Sequence, residues 1–211
     1  MAGTSKLAFD ATYHIWNRGV NHSTIFLSRE NYRYFLQQYV KYIEPVAKTY
    51  AYCLLPNHFH FAVRTRTAED QLKYRRDNGE TGALKTHEPS QAFSNLCNSY
   101  VRAFNNWHNR SGGLFEGRFG RKQVEDSAYL MNLIVYIHQN PQHHGLVDDF
   151  RDWPYSSYNA YMTEDGRSRI DRSTVMEWFN SPADFEEAHW QIVTEENLGG
   201  LSKIDFQSKS S

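Results

Sequence analysis

The chain has few cysteines and no long apolar run, and these two absences argue against a disulfide-rich protein and a membrane-spanning protein. Two cysteines, Cys53 and Cys97, among 211 residues are too few for a disulfide scaffold or a thiolate metal cluster. Without a run of about 18 apolar residues, the sequence predicts no membrane span. The beginning, MAGTSKLAFD, lacks the apolar core of a signal peptide. We therefore expect a cytoplasmic protein with both thiols reduced.

A nucleotide-binding loop is also missing. The stretch 111–122 contains four glycines but no Walker-type Lys-Ser or Lys-Thr pattern, so we expect no nucleotide cofactor. Glycines let a backbone approach a ligand closely, and Arg118, Arg121 and Lys122 add positive charge. The stretch is therefore a candidate phosphate contact.

The net charge of −1 hides an asymmetry between the two parts of the chain. Residues 1–122 carry 17 Lys and Arg against 9 Asp and Glu, whereas residues 123–211 carry 6 against 15. A protein divided in this way can present a basic face to a polyanion. The alternative is that the two parts pair with each other, and charge alone does not separate these interpretations.

With 211 residues, the chain is long enough for a substantial core, and 40% apolar and 15% aromatic residues supply the side chains to fill it. The apolar pattern predicts strands at 11–19, 49–55, 58–65 and 121–125 and helices at 28–48, 90–108 and 128–140. Further expectations are a mobile connection or broken helix at 66–90, a short helix at 153–158 and acidic helical segments at 173–179 and 183–194. Hairpin-linked strands predict an α+β fold with an antiparallel sheet and helices on one face. We place one domain at 1–165 and an acidic helical extension with a frayed tail, 199–211, at 166–211.

Two histidines at alternate positions of one predicted strand are candidate metal ligands. His58 and His60 follow the turn signal Pro56-Asn57, and alternation along a strand places both on one face. Two imidazoles side by side can hold one divalent metal ion. The alternative is a pair of ordinary, half-buried strand histidines.

The helix predicted at 128–140 carries a polar strip beside its apolar stripe. At 100° per residue, Asn132, Tyr136, Gln139 and Asn140 share this strip, with Tyr136 one turn before Asn140. On its own, this pattern is typical of a solvent-facing strip with an amphipathic tyrosine.

Several ordered motifs together closely resemble a known family. They are YHIWNRG at 13–19, LPNHFH at 55–60, GRF at 117–119, YIHQNP at 136–141, GLV at 145–147 and WPYSSY at 153–158. The chain is similar over about residues 10–160 to the single-tyrosine HUH transposases of insertion sequences, and within them to the REP-associated tyrosine transposase branch. The branch's usual Asn-Pro-Val is here Asn140-Pro141-Gln142.

The resemblance implies a ferredoxin-like core and a metal-dependent transesterase acting on single-stranded or hairpin DNA. Tyr136 falls at the position of the nucleophile that forms a 5′-phosphotyrosine, and His58, His60 and Asn140 fall at those of the metal ligands. It implies magnesium or manganese, although two imidazoles and an amide suit manganese better. It also favours a monomer over a homodimer.

DNA contacts are expected from the basic part of the chain. The candidates for phosphate are Arg18, Arg118, Arg121 and Lys122, and those for base stacking are Trp16, Phe115 and Phe119. His14 is either a partner of the metal ligands or an ordinary strand residue, and we assign His143 and His144 to a loop.

Two rival functions stay open from the residues alone. A histidine-ligated metal hydrolase or oxygenase needs a carboxylate near the pair, and no Asp or Glu lies between Glu44 and Glu69 in the sequence. A nucleic-acid-binding module without catalysis would not need the combination of His58, His60, Tyr136 and Asn140.

Overall fold

The computed structural model describes residues 5–163, 168–194 and 198. Its helices and strands follow one another as β1 (Thr12–Arg18), α1 (Arg29–Tyr42), β2 (Ala47–Leu55), β3 (His58–Thr65), α2 (Ala68–Asp77), α3 (Pro89–Trp107), β4 (Gly120–Gln123), α4 (Ser127–His143), α5 (Tyr158–Met162), α6 (Arg172–Trp178) and α7 (Pro182–Ala188). Short 3₁₀ turns lie at Val20–His22 and Phe150–Asp152. No helix within these residues is long and apolar enough to cross a membrane.

The four strands form one antiparallel sheet in the order β2-β3-β1-β4. Strands β1 and β3 lie at its centre, with Trp16 opposite His60 and Arg18 opposite His58. Helix α1 connects β1 to β2, and α3 lies between β3 and β4 in the chain, which is the ferredoxin-like arrangement. The predicted α+β fold with a ferredoxin-like core is confirmed.

One face of the sheet carries α1 and α3 and an aromatic core. Side chains from both helices pack on the alternate residues of the central strands. The largest fully buried side chains of this layer come from the strands and the helices alike: Ile15, Phe35, Phe59, Phe61, Phe93, Tyr100 and Phe104. Phe61 stacks on Tyr39 with 4.5 Å between ring centroids. This layer follows from the helical and strand periods of the sequence.

The opposite face carries α4 and the C-terminal helices, so helices cover both faces rather than the one predicted. The core of this layer combines sheet residues with α4 and the tail: Ala51, Cys53, Ala62, Leu133, Ile134, Ile137, Val175, Phe179 and Phe185. Cys53 and Cys97 form no disulfide. Burial raises the pKa of the Cys53 thiol, which therefore stays protonated at neutral pH.

Helix α1 is shorter than predicted, and the connection after β3 is more ordered. The predicted helix 28–48 ends at Tyr42 because Pro45 follows and proline cannot continue a helix, so Lys48 lies in β2. Residues 66–90 contain α2, whose first turn is capped by Thr67, with Oγ1 accepting from the Asp70 N–H at 3.0 Å. The broken-helix alternative therefore describes this segment.

Helix α4 extends beyond the predicted end at Asn140. Pro141 lies inside the helix rather than after it, because it removes only one N–H near the C-terminus and the His144 N–H still reaches the Asn140 carbonyl at 3.0 Å. The predicted solvent-facing strip is wrong for three of its four residues. Tyr136, Gln139 and Asn140 are buried, and Asn132 is exposed.

The segments after α4 also differ from the prediction. Residues 153–157 form a turn rather than a helix, since Pro154 favours a turn and Ser156 forms a β-bridge to Cys53. The helix predicted at 183–194 ends at Ala188. The domain boundary predicted at 165/166 and the predicted frayed tail 199–211 lie outside the described residues.

Candidate active site

The paired histidines of β3 lie side by side on the sheet face that α4 covers. His58 and His60 are 5% and 1% exposed, and their ring centroids are 5.2 Å apart. Phe59 and Phe61 point into the aromatic layer on the other face, as strand alternation requires. One rigid strand therefore directs both imidazoles towards the same helix.

The turn that precedes His58 is held by the loop after β1. The Gly19 N–H donates to the Asn57 carbonyl at 2.8 Å, and two further N–H groups of that loop donate to the Pro56 carbonyl at 2.7 and 3.0 Å. A Cβ atom on Gly19 would lie 1.9 Å from the carbonyl oxygen of Ser23, so glycine alone fits there. These contacts fix where the histidine strand begins.

Hydrogen bonds orient both imidazole rings. His58 Nδ1 lies 2.7 Å from Asn57 Oδ1, an acceptor, so the hydrogen is on Nδ1 and the lone pair is on Nε2. His60 Nδ1 lies 2.9 Å from His14 Nε2, and the two rings are stacked with centroids 5.1 Å apart. The His14 ring in turn packs on Trp16 at 4.7 Å. His14 is therefore a direct partner of a candidate ligand.

Helix α4 places a tyrosine and an amide opposite the histidines. The Tyr136 ring centroid lies 6.0 Å from that of His60, and the side chain is 4% exposed. Asn140 follows one turn later and is 1% exposed. Its Nδ2 donates to the Tyr136 carbonyl at 3.1 Å, whereas its Oδ1 is buried and has no hydrogen-bond partner among the residues described. His58, His60, Tyr136 and Asn140 thus lie together on one face.

Two further histidines lie near this group and were assigned to a loop from the sequence. His143 is the last residue of α4, with its ring centroid 6.1 Å from that of Tyr136. His144 follows as the C-cap, 4.8 Å from the His58 ring. Spacings of seven and eight residues from Tyr136 place them on the same helical face. From the sequence, Pro141 indicates the end of the helix at Asn140, and for that reason both histidines were assigned to a loop.

The four predicted phosphate contacts do not share one location. Arg18 and Lys122 lie on the histidine face, opposite His58 and His14 in the strand register. Arg18 Nε is 2.6 Å from Glu116 Oε2, so a phosphate there would compete with a carboxylate. Lys122 Nζ lies over the Tyr129 ring at 4.5 Å.

Arg118 and Arg121 are placed differently. Arg118 is exposed in the loop before β4. Arg121 pairs with Ile15 and so points to the aromatic face, where its guanidinium stacks on Phe119 at 4.1 Å and donates to the Ser5 carbonyl at 3.0 Å. Burial lowers the pKa of Arg121. The geometry therefore does not bring Arg121 to the histidines.

Among the predicted stacking aromatics, Trp16 lies beside the candidate site. It is half-buried on the histidine face, opposite His60. Phe119 is 3% exposed and packs on Phe93, and Phe115 packs on Phe59 at 5.9 Å, so both belong to the aromatic layer. Trp16 is accordingly the stronger candidate for contact with a base.

The fold and this group define the class of the protein: a ferredoxin-like α+β protein in which paired strand histidines face a helix tyrosine. No family model matches the chain. A protein of Haemophilus influenzae that carries the name of a REP-associated tyrosine transposase is 31% identical over 112 residues, which span 53% of this chain and 59% of that protein.

A solved structure of a REP-associated tyrosine transposase bound to a REP hairpin superposes with a TM-score of 0.56 and 16% identity, covering 78% of this chain and 87% of the other. At that identity the superposition supports the shared fold alone. The sequence match confirms the resemblance to the REP-associated tyrosine transposases that the motifs indicate.

Proposed function

We propose that this protein is a single-strand DNA transposase and nickase that works through a 5′-phosphotyrosine intermediate. The observation that carries the proposal is the placement of Tyr136 and Asn140 of α4 against His58 and His60 of β3. In-line attack on a phosphodiester requires a nucleophile and polar groups held in a fixed relation, and two packed elements provide this here.

The proposed substrate is single-stranded DNA, including DNA next to a hairpin. Part of the support is the similarity to a protein named for transposition and to one whose structure holds a REP hairpin. Trp16 on the histidine face offers an aromatic surface for an unpaired base, and Lys122 on the same face offers a cation for the backbone. A cytoplasmic monomer without a nucleotide cofactor stays a prediction.

The donor atoms fit a divalent metal ion, manganese in preference to magnesium. Asn140 Oδ1 is a buried acceptor without a partner in the described part of the chain, and the His58 tautomer directs the Nε2 lone pair away from Asn57. His58, His60 and Asn140 would hold the ion. When bound, it would polarise the scissile phosphate and neutralise charge that develops in the transition state.

His14 has a specific role in this proposal. His60 can present a lone pair at Nε2 only if its hydrogen is on Nδ1, and His14 Nε2 at 2.9 Å is then the acceptor. A buried ring partner of this kind fixes both tautomer and orientation.

The covalent step belongs to Tyr136. Its phenol oxygen forms a bond to phosphorus while the bond from phosphorus to the 3′-oxygen breaks. The phenol loses its proton, and the departing oxygen gains one to become a free 3′-hydroxyl. The phosphotyrosine ester keeps the energy of the broken bond, so a later 3′-hydroxyl can reverse the step without ATP.

A covalent-adduct assay tests this function. Labelled single-stranded DNA carrying a hairpin is incubated with the protein and Mn²⁺ and then resolved on a denaturing gel. We expect an adduct that Tyr136→Phe abolishes and that the matched control Tyr34→Phe, on a helix of the opposite face, preserves. Cleavage without an adduct would indicate a hydrolase, and uncleaved DNA that the protein still shifts on a native gel would indicate a binding module.

A further inference from the structure

Helix α4 is buried around its whole circumference in the part that carries the candidate site. Every residue from Leu133 to Asn140 is buried. The sheet covers the side that bears Tyr136 and Asn140. The opposite side is covered by residues that follow α5, with Phe179, Phe185 and Val193 in the same apolar cluster. Chain beyond the motif-bearing part therefore completes the environment of the helix.

The Gln139 side chain joins α4 to the chain after α7 through three hydrogen bonds. Its Nε2 donates to the carbonyls of His189 at 2.8 Å and Gln191 at 2.7 Å, and its Oε1 accepts from the Val193 N–H at 3.2 Å. The amide is 5% exposed, so these bonds form away from water. One side chain on α4 thus satisfies three backbone groups of an otherwise irregular segment.

A second connection runs through two buried imidazoles. His189 Nδ1 donates to the Phe185 carbonyl at 2.7 Å, so its Nε2 accepts from His138 Nδ1 at 2.8 Å. His138 Nε2 then accepts from the Ser157 hydroxyl at 2.8 Å, and Ser157 Oγ accepts from the Tyr52 N–H at 2.9 Å. The chain of hydrogen bonds has one direction and links α7, α4 and β2.

These contacts flank the proposed nucleophile and ligand in sequence. His138 and Gln139 lie between Tyr136 and Asn140, and on a helix their side chains leave at about 200° and 300° from that of Tyr136. A bond to either side chain therefore resists rotation of α4 about its axis. Rotation by one residue would turn Tyr136 and Asn140 away from the histidines.

We propose that residues 185–193, hereafter the clasp, are a positioning element of the active site that sets the rotation of α4. This inference rests on the proposed function for its catalytic meaning. Gln139 of α4 is the principal residue through which the clasp acts, because it forms three of the hydrogen bonds. The C-terminal extension is then part of the catalytic unit rather than an appendage.

The test compares two Gln→Leu variants of the full chain. Gln139→Leu removes the three side-chain bonds, whereas Gln191→Leu changes an exposed side chain in the clasp and keeps the backbone acceptor. Amide hydrogen exchange of peptides covering 133–141 is expected to become about tenfold faster or more in Gln139→Leu. It should stay unchanged in Gln191→Leu, as should exchange in β1 and β3 of both variants.

Mn²⁺ affinity supplies a second readout. We expect Gln139→Leu and Asn140→Ala each to weaken Mn²⁺ binding by about 10- to 100-fold, and the double variant to lose no more than either single variant. If Asn140→Ala binds Mn²⁺ as tightly as the parent chain, the proposed ligand set is wrong. The exchange measurement still tests separately whether the clasp holds α4 in place.

Unchanged exchange in 133–141 of a folded Gln139→Leu variant would overturn the proposal. If circular dichroism shows that this variant is unfolded, Ser157→Ala takes its place. It removes only the hydroxyl at the β2 end of the imidazole chain. A smaller rise in exchange over the same peptide is expected, and no rise would equally overturn the proposal.

Discussion

The two faces of the sheet share the same strands but differ in chemistry. On the face that bears α1 and α3, Phe59 and Phe61 pack against other aromatic rings. On the face that bears α4, His58 and His60 meet a phenol, an amide and two further imidazoles, those of His14 and His144. One face supplies cohesion, and the other holds polar groups that are costly to bury.

The comparison separates stability from chemistry within a single strand. Adjacent residues of β3 point to opposite layers, so neighbouring substitutions can test each layer with little effect on the other. A substitution on the aromatic face should lower the free energy of unfolding, whereas one on the histidine face should lower activity and metal affinity.

The largest expected effect is on stability, from Phe61→Ala. Phe61 is fully buried and stacks on Tyr39, so the change leaves a cavity and should cost about 3–5 kcal/mol of unfolding free energy. Urea denaturation measures it. The variant protein that remains folded should still form the DNA adduct, and loss of adduct at full folding would contradict the separation of the faces.

His60→Ala should give the reverse outcome. Removing a proposed ligand should lower the rate of adduct formation by about 10²–10³-fold or more. The unfolding free energy should fall by less than it does for Phe61→Ala. Rates come from single-turnover gels and stability from urea denaturation of the same preparations. An unchanged rate would exclude His60 from the site.

Acid should lower the free energy of unfolding through His189, which packs against α4. Burial lowers the pKa of His189 to about 4, with His138 and Tyr158 packed against it. The unfolded chain therefore binds a proton at higher pH than the folded one. The contribution of neutral His189 to the free energy of unfolding is therefore fully present above about pH 6.5. It is lost as the pH falls towards 4, and the loss amounts to up to about 3 kcal/mol.

Urea midpoints at pH 7.5 and 5 measure this dependence. Subtracting the pH dependence of His189→Gln isolates the imidazole from other titrating groups. Equal pH dependence in the two proteins would show that His189 does not titrate as its burial implies.

A smaller effect is expected at His14, which is buried and contacts His60. His14→Phe keeps a ring and loses the acceptor, so Mn²⁺ affinity should fall by about 10- to 100-fold. His14→Gln supplies an acceptor oxygen and should recover part of the loss. Equal affinities for the two variants would argue that the ring fills space and does not orient His60.

The smallest effect concerns DNA binding by neighbouring basic residues of β4. Lys122 lies on the histidine face and Arg121 on the aromatic face. Lys122→Ala should weaken binding to hairpin DNA modestly and reduce the slope of log affinity against log salt by about 1. Arg121→Ala should leave that slope unchanged. Fluorescence anisotropy at several salt concentrations distinguishes the two.

The aromatic face and the histidine strand were predictable because each depends on local period. Strand β3 has the predicted bounds, His58–Thr65, and alternation alone assigns its residues to faces. The burial of Gln139 was not predictable, because its partners lie about 50 residues later in a segment without a regular pattern. A polar helix position looks solvent-facing until the partner that satisfies it is known.

The candidate site also combines features that the sequence predicts with features that depend on packing. Motif resemblance selected Tyr136 and Asn140 where periodicity favoured a solvent-facing strip. His143 and His144 were missed for a local reason, since one proline was taken as the end of α4. Proline near a helix C-terminus costs little, and its effect depends on packing that the sequence does not display.

Gly120 has a consequence that reaches across three strands. A Cβ atom there would lie 2.2 Å from the indole ring of Trp16, which packs on His14, the partner of His60. Even alanine at position 120 would require the indole, which packs on His14, to shift. Glycine at position 120, on an edge strand, therefore keeps the space that the indole occupies, and a larger residue there would disturb the support of His60 without altering any proposed ligand or nucleophile.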